Sequence, residues 1–214
     1  MSISSPIAVI GGTGKSGKYL VLRLLAQQLS IKVLVRNLDH FTLVNPLVEA
    51  VVGDVVDYDA VYRLVSGCSA VVSTLGLGVP PSEPTIFTQS TAHVLEAMHA
   101  HGIRRYIVTT GLNVDTPFDR KGATAAAATA WMKQTYPAST INKQQEYDLL
   151  RASTVDWTMV RLPLIVQTDE APPVRVSLED CPGKEISATS LADFLIGQLA
   201  SREFVSKAPF VANE

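Results

Sequence analysis

Cysteine is nearly absent from this chain of 214 residues: Cys68 and Cys181 sit in unrelated local contexts and offer no disulfide framework. Cys68 follows Gly67 just ahead of an apolar run, which points to a structural residue. Long apolar runs are absent as well. None reaches the ~18 residues that a membrane-spanning helix needs, and Met1–Pro6 lacks the basic region and apolar stretch of a signal peptide. The four histidines, His40, His93, His99 and His101, include no pair four residues apart, and no Cys/His cluster has zinc spacing, so no metal site is expected. A Gly-x-Ser-x-Gly nucleophile elbow is missing too. Charge of one sign is lacking: 18 Lys and Arg against 20 Asp and Glu give a formal net charge of −2, with no basic surface for nucleic acid. These absences leave a cytoplasmic, reduced protein with neither membrane nor nucleic acid as partner, read as a monomer or homodimer. At 47% hydrophobic residues the chain is large enough to bury one substantial core, so a single domain is expected over 1–214.

What is present is concentrated between Ile7 and Gly17, which reads Ile-Ala-Val-Ile-Gly-Gly-Thr-Gly-Lys-Ser-Gly. Ile7–Ile10 reads as a short buried strand, and Leu20, Val21, Leu24 and Leu25 recur at helical spacing. Between them lie Gly11, Gly14 and Gly17, with an extra glycine at Gly12. In a strand–turn–helix setting this is a dinucleotide-binding pattern. Gly11 permits the tight turn, Gly14 admits a pyrophosphate to the backbone, and Gly17 lets the helix pack on its strand. The helix amides and positive dipole end would face the phosphates. A plain strand-to-helix connection is the alternative.

Further along, Ile31–Val35 is a second apolar run that ends in Arg36, roughly 20 residues past the glycines, where the adenosine ribose is read. A guidanium there suits the 2′-phosphate of NADP(H) rather than the 2′-hydroxyl of NAD, and Lys15 adds a second positive charge; a solvated surface charge is the alternative. Asp39 dissents but lies past the strand end. Val48–Val52 forms a third strand, after which Asp54 could accept from the adenine amino group with Val55 against the ring, or serve as a plain turn carboxylate. Asp57 is expected to cap a helix through Leu64. Ser69–Ser73 is a fourth strand running into Thr74-Leu75-Gly76-Leu77-Gly78, where backbone can approach the cofactor. Pro80, Pro81 and Pro84 make a rigid loop, with Pro84 placed to open a helix that runs to about His101 and stops at Gly102.

Arg105–Thr110 is the fifth strand, and its end, Thr109-Thr110-Gly111, belongs beside the nicotinamide. The alanine-rich run 123–130 is a helix or a mobile cover, and Phe118, Trp131, Met132 and Tyr136 are candidates to line an apolar pocket or simply to pack. A helix over about Thr140–Ala152, a strand at Trp157–Arg161, short strands at Val174–Val176 and Phe210–Val211, and a capping box at Ser190-Leu-Ala-Asp193 opening a helix to Ala200 complete the pattern. Alternating strands and helices imply an α/β doubly wound parallel sheet, with a small substrate-side portion interleaved from about residue 112 onward.

Gly11–Gly17, Val33-Leu-Val-Arg36, Val52-Gly-Asp-Val55 and Asp156-Trp-Thr-Met-Val-Arg161 resemble the atypical short-chain dehydrogenase/reductases, in the NAD(P)H-binding group that contains the B form of biliverdin reductase, also called flavin reductase. The resemblance runs from Ile7 to about Leu199. It implies a Rossmann-like fold in which Thr13, Gly14, Lys15 and Ser16 cradle the phosphates and Arg36 holds the 2′-phosphate. It further implies that Asp54 and Val55 meet the adenine, Leu75 and Gly76 pass the ribose, and Thr109, Thr110, Pro163 and Ile165 surround the nicotinamide. The departures concern protons. A Tyr-x-x-x-Lys pair would need tyrosine where Ser139 precedes Lys143, and Tyr147 leads only to Arg151. The family serine is Gly111 here, and the family histidine is Leu164. Lys143 and Thr110 remain the candidate catalytic residues. The expected activity is hydride transfer from NADPH to a flat acceptor that draws its proton from water, such as a flavin, tetrapyrrole or quinone. A dinucleotide-sensing regulator of the NmrA type is the runner-up, and an isomerase or epimerase is disfavoured by the missing tyrosine.

Overall fold

The computed structural model describes residues 5–78 and 82–213; Pro80 and Pro81 lie outside the described residues. In chain order the elements are β1 (Ile7–Ile10), α1 (Gly17–Ala26), β2 (Ile31–Val35), β3 (Val48–Val52), α2 (Tyr58–Val65), β4 (Ala70–Ser73), α3 (Ile86–His101) and β5 (Arg105–Gly111). They continue as α4 (Ala123–Thr135), α5 (Pro137–Ala152), β6 (Asp156–Leu162), β7 (Leu164–Val166), β8 (Val174–Ser177), β9 (Glu185–Ser187), α6 (Ala188–Gly197) and β10 (Phe210–Asn213). Eight strands form one sheet in the order β3-β2-β1-β4-β5-β6-β10-β8, parallel except for β8 against β10. The short strands β7 and β9 pair with each other in a separate parallel ribbon.

Strand alternation divides the core in two. Ala8 and Ile10 of β1 join the cluster beneath α2, α3 and α5, while Ile7 and Val9 join the cluster under α1 and α6. With both faces covered, all four β1 residues are buried, as a central parallel strand requires. Asp57 caps α2 by accepting the Asp59 amide at 3.0 Å. Gly102 ends α3 at φ +68°, a left-handed conformation that favours glycine, and the Ile103 amide closes the turn on the Met98 carbonyl at 2.9 Å.

The start of α6 differs from the sequence expectation. Ser187, not Ser190, is the cap, and its hydroxyl accepts the Ser190 amide at 3.1 Å. Asp193 faces the other way and pairs with Arg23 of α1 at 2.7 Å. Two smaller differences lie at helix starts: α5 begins at Pro137, where the ring suits the first turn, and α3 begins two residues after Pro84. The alanine-rich run is helical. Only Ala125 and Thr129 of α4 are buried, so its helicity rests on alanine's propensity more than on an apolar stripe.

The sheet order reverses direction between β1 and β4, so the connections from their carboxyl ends diverge and leave a crevice there. Arg161 of β6 is fully buried. Its guanidinium donates to the carbonyls of Ala208, Val114 and Leu178, pairs with Asp119 at 2.6 Å and stacks 3.5 Å from the Phe210 ring. This ties the segment after β5 to β6 and β10.

Candidate functional site

A cavity of about 1020 Å³ lies along the carboxyl ends of the strands. Gly11, Thr13, Gly14, Lys15, Ser16, Arg36, Asp54, Val55, Leu75, Gly76, Thr109, Thr110, Pro163 and Ile165 all line it, and so does Lys143. Residues spread over 150 positions of sequence are therefore brought to one wall by the topology alone.

At the glycine end the turn is tight. Gly11 has φ +77°, and a Cβ there would stand 2.9 Å from the Thr74 carbonyl. A Cβ on Gly17 would stand 2.0 Å from the Gly11 oxygen, so α1 starts directly against the turn. Gly14 is less constrained by the protein itself: a Cβ there meets only the Gly11 oxygen, at 3.1 Å. Ser16 is the N-cap of α1 yet makes no side-chain capping bond, and the first turn has no acidic residue. The leading amides of α1 thus face the cavity with no protein anion to balance the helix dipole. Lys15 and Arg36 are exposed on the same wall and pair with no described residue. Asp39 does not reach the wall; its amide is held by Asn37 in a single 3-10 turn. Asp54 lines the cavity with one carboxylate oxygen accepting the Val56 amide at 3.2 Å.

At the opposite end the polar groups are largely committed. The Lys143 ammonium donates to Glu146 at 2.9 Å and to the Thr109 carbonyl at 3.2 Å, and lies 3.8 Å from the centre of the Phe87 ring. Glu146 is 2% exposed, and its other oxygen accepts the Thr91 hydroxyl at 2.8 Å. Thr91 in turn meets the Tyr106 hydroxyl at 3.3 Å, where burial pushes the phenol up. The three N–H groups of Lys143 are thus directed at a carboxylate, a carbonyl and a ring face. The Thr110 hydroxyl is buried without a partner, and the Thr109 hydroxyl donates to Ser73 at 3.4 Å. A side chain at Gly111 would stand 2.6 Å from Asn113 Oδ1 and 2.8 Å from Met132 Cε, so these two residues fill the space a serine would need. Tyr147 is away from the site, packed edge-on against Trp157. Ser139 is half-buried, and its hydroxyl donates to the Tyr136 carbonyl.

The remaining walls are apolar. Helix α4 contributes Thr124, Ala128 and Trp131 along one face, joined by Ala125 and Met132, and Phe87, Leu112 and Leu164 stand across from it. Phe118 and Tyr136, expected with them, are not on this wall; both are largely exposed, and Tyr136 instead braces Trp131 edge-on at 5.8 Å. Sequence reasoning missed Phe87, Cys181 and Lys184. Nothing in their local pattern marks them, because each reaches the cavity through a loop or helix start set by distant packing. Cys181 donates to the Gly183 carbonyl at 3.1 Å, and burial pushes its thiol up. No group of His, Cys, Asp and Glu among the described residues could hold a metal ion. No described helix is long and apolar enough to cross a membrane.

The strand order, the glycine turn against a helix start and the crevice at the switch point define a Rossmann-like, dinucleotide-binding α/β protein. A family model described as NAD(P)H-binding matches residues 11–202, and the chain belongs to that family. Among solved structures it is similar to a short-chain dehydrogenase/reductase from Veillonella parvula in complex with NADP, with TM-score 0.78 and 16% identity over 98% of this chain and 95% of that one. It is similar to the oxidoreductase ylbE from Lactococcus lactis, with TM-score 0.78 and 17% identity over 98% and 91%. ChuY, an anaerobillin reductase from Escherichia coli O157:H7, gives TM-score 0.78 and 18% identity over 97% of each chain. At these identities the likeness is one of fold.

Proposed function

We propose that this protein is an NADPH-dependent reductase whose acceptor is flat and conjugated: a flavin, a tetrapyrrole or a quinone. The observation that carries the reading is the polarity of the long cavity at the strand ends. One end offers helix amides and the free cations Lys15 and Arg36, and the other offers the apolar surfaces of Phe87, Trp131, Met132 and Leu164. The first end suits the phosphates of a dinucleotide, including a 2′-phosphate at Arg36. The second suits a planar ring. When bound, the nicotinamide supplies the hydride. The chain's own part is to bind and orient: Arg36 and Lys15 neutralise phosphate charge, Asp54 and Val55 meet the adenine, and the apolar wall keeps water from the reacting face. Proton supply is where the site is poor. Lys143 is committed to Glu146, and the Thr110 hydroxyl is an uncommitted donor expected near the nicotinamide. Acceptors protonated by solvent are therefore favoured over ketones that need an enzyme acid. ChuY, described as an anaerobillin reductase, and ylbE, described as an oxidoreductase, support reduction on this fold.

The same poverty of donors favours a second reading, a dinucleotide sensor of the NmrA type that binds without turnover. Steady-state NADPH oxidation with flavin, quinone and tetrapyrrole acceptors separates the two. Measurable oxidation with at least one of them is expected. Tight NADPH binding with no oxidation above background by any acceptor would leave the sensor.

A further inference from the structure

Three cations on the described cavity wall pair with no described residue: Lys15, Arg36 and Lys184. The first two stand at the dinucleotide phosphate end. Lys184 stands at the other. It directly precedes β9, which pairs with β7 so that Glu185 lies opposite Leu164, a residue of the apolar wall. The acidic residue on the described wall, Asp54, is at the end of β3, so no carboxylate of the wall neutralises Lys184.

The backbone that carries Lys184 is rigid. Pro182 restricts the chain two residues before it. Gly183 packs on β10 so closely that a Cβ would stand 2.3 Å from the Asn213 carbonyl oxygen. The Cys181 thiol donates to the Gly183 carbonyl at 3.1 Å, and beyond Lys184 the Ser187 amide donates to Asn213 Oδ1 at 2.6 Å. Lys184 is itself exposed at the cavity, and it is its backbone that these contacts hold. Here a single positive charge is anchored beside the apolar wall with its counter-charge missing. An ammonium on a flexible stem acts as a point charge and pairs equally with carboxylate or phosphate.

We infer that Lys184 selects an acceptor that carries an anionic group on a side chain of its reducible ring system. The inference rests on the reductase reading above. It makes Lys184 a specificity-determining residue and narrows the acceptor class to ring systems bearing a carboxylate or a phosphate, ahead of neutral quinones.

Two matched pairs test it, each holding the reacting ring constant: FMN against riboflavin, and a linear tetrapyrrole dicarboxylate against its dimethyl ester. In the parent protein kcat/KM should favour the anionic member by about fivefold, chiefly through KM, the size expected of a partly solvated ion pair. Lys184→Ala should close the gap and Lys184→Arg should keep it, with NADP binding the same in all three. A gap in one pair only identifies which anion is read. Titration of the same compounds onto the NADP-saturated protein reads the preference without turnover. If that preference is present and depends on Lys184 while no acceptor oxidises NADPH, the reductase reading falls and the anion site stands. Equal kcat/KM and equal binding within both pairs, or a gap that survives Lys184→Ala, would overturn the inference and leave the reductase reading untouched.

Discussion

Removing the Lys143 ammonium is the perturbation that best separates a catalytic lysine from a structural one. In Lys143→Ala the Glu146 carboxylate, 2% exposed, keeps only the Thr91 hydroxyl at 2.8 Å. Breaking a buried pair by deleting one partner costs about 3–5 kcal/mol, because a charge is left buried and uncompensated. Total stabilities are about 5–15 kcal/mol, so the loss is a large share. At about 2–4 °C per kcal/mol for a chain of this size, Tm should fall by roughly 6–20 °C. Lys143→Met with Glu146→Gln removes both charges and should regain most of that loss. Turnover of the folded single variant, measured well below its Tm, should fall only a few-fold, since the ammonium is already given to Glu146, the Thr109 carbonyl and the Phe87 ring. Thermal and urea unfolding beside NADPH oxidation gives both readouts. An unchanged Tm in Lys143→Ala, or a loss of about 10² or more in kcat at unchanged stability, would refute this reasoning.

NADPH should bind more tightly than NADH by about 1.5–3 kcal/mol, a gap that Arg36→Ala should largely erase in a paired titration. The two glycines of the turn should part company. Gly14→Val should stay folded and lose dinucleotide binding, whereas Gly17→Ala should lose stability, because its Cβ would stand 2.0 Å from the Gly11 oxygen. Circular dichroism with cofactor titration distinguishes the two outcomes. Burial works against the Asp115 carboxylate, but Lys121 and Lys133, each 2.6 Å away, outweigh it and hold its pKa below the ordinary 3.8. A depressed folded pKa means the stabilisation is complete above the unfolded value and is lost as pH falls through the lower folded one. Asp115→Asn should therefore flatten the acid limb of a stability–pH curve below about pH 4, modestly because the pair is half exposed. The Cys68 thiol, pushed by burial up to about 11, should resist alkylation at mildly alkaline pH until the protein unfolds.

How much of this was legible in the sequence depends on the range of the interaction. The glycine turn, its flanking strand and helix, and the cation at the end of β2 are local patterns, and each stands where its spacing implies. Lys143 shows the limit. Its position relative to the absent tyrosine was readable, but its chemistry is set by Glu146 one turn on and by Phe87, which arrives from α3. The strands β7 and β9 are three residues each, too short for any period to register, and they pair only with each other. The capping-box pattern puts the cap of α6 at Ser190, but Ser187 caps it, and Asp193, expected to close the capping box, pairs with Arg23 of α1 instead. Lys184 carries no local signal at all, since its role follows from the packing of Gly183 on β10.

The central claim, hydride transfer from NADPH to a flat acceptor, is tested most directly by an anaerobic single turnover. Protein saturated with NADPH is mixed with FMN, and loss of nicotinamide absorbance is followed together with bleaching of the flavin. One flavin reduced per NADPH oxidised, slowed by a primary isotope effect when the transferred hydrogen is deuterium and abolished in Gly14→Val, is the expected result. Tight NADPH binding with neither signal changing, for FMN and for a tetrapyrrole and a quinone in its place, would contradict it.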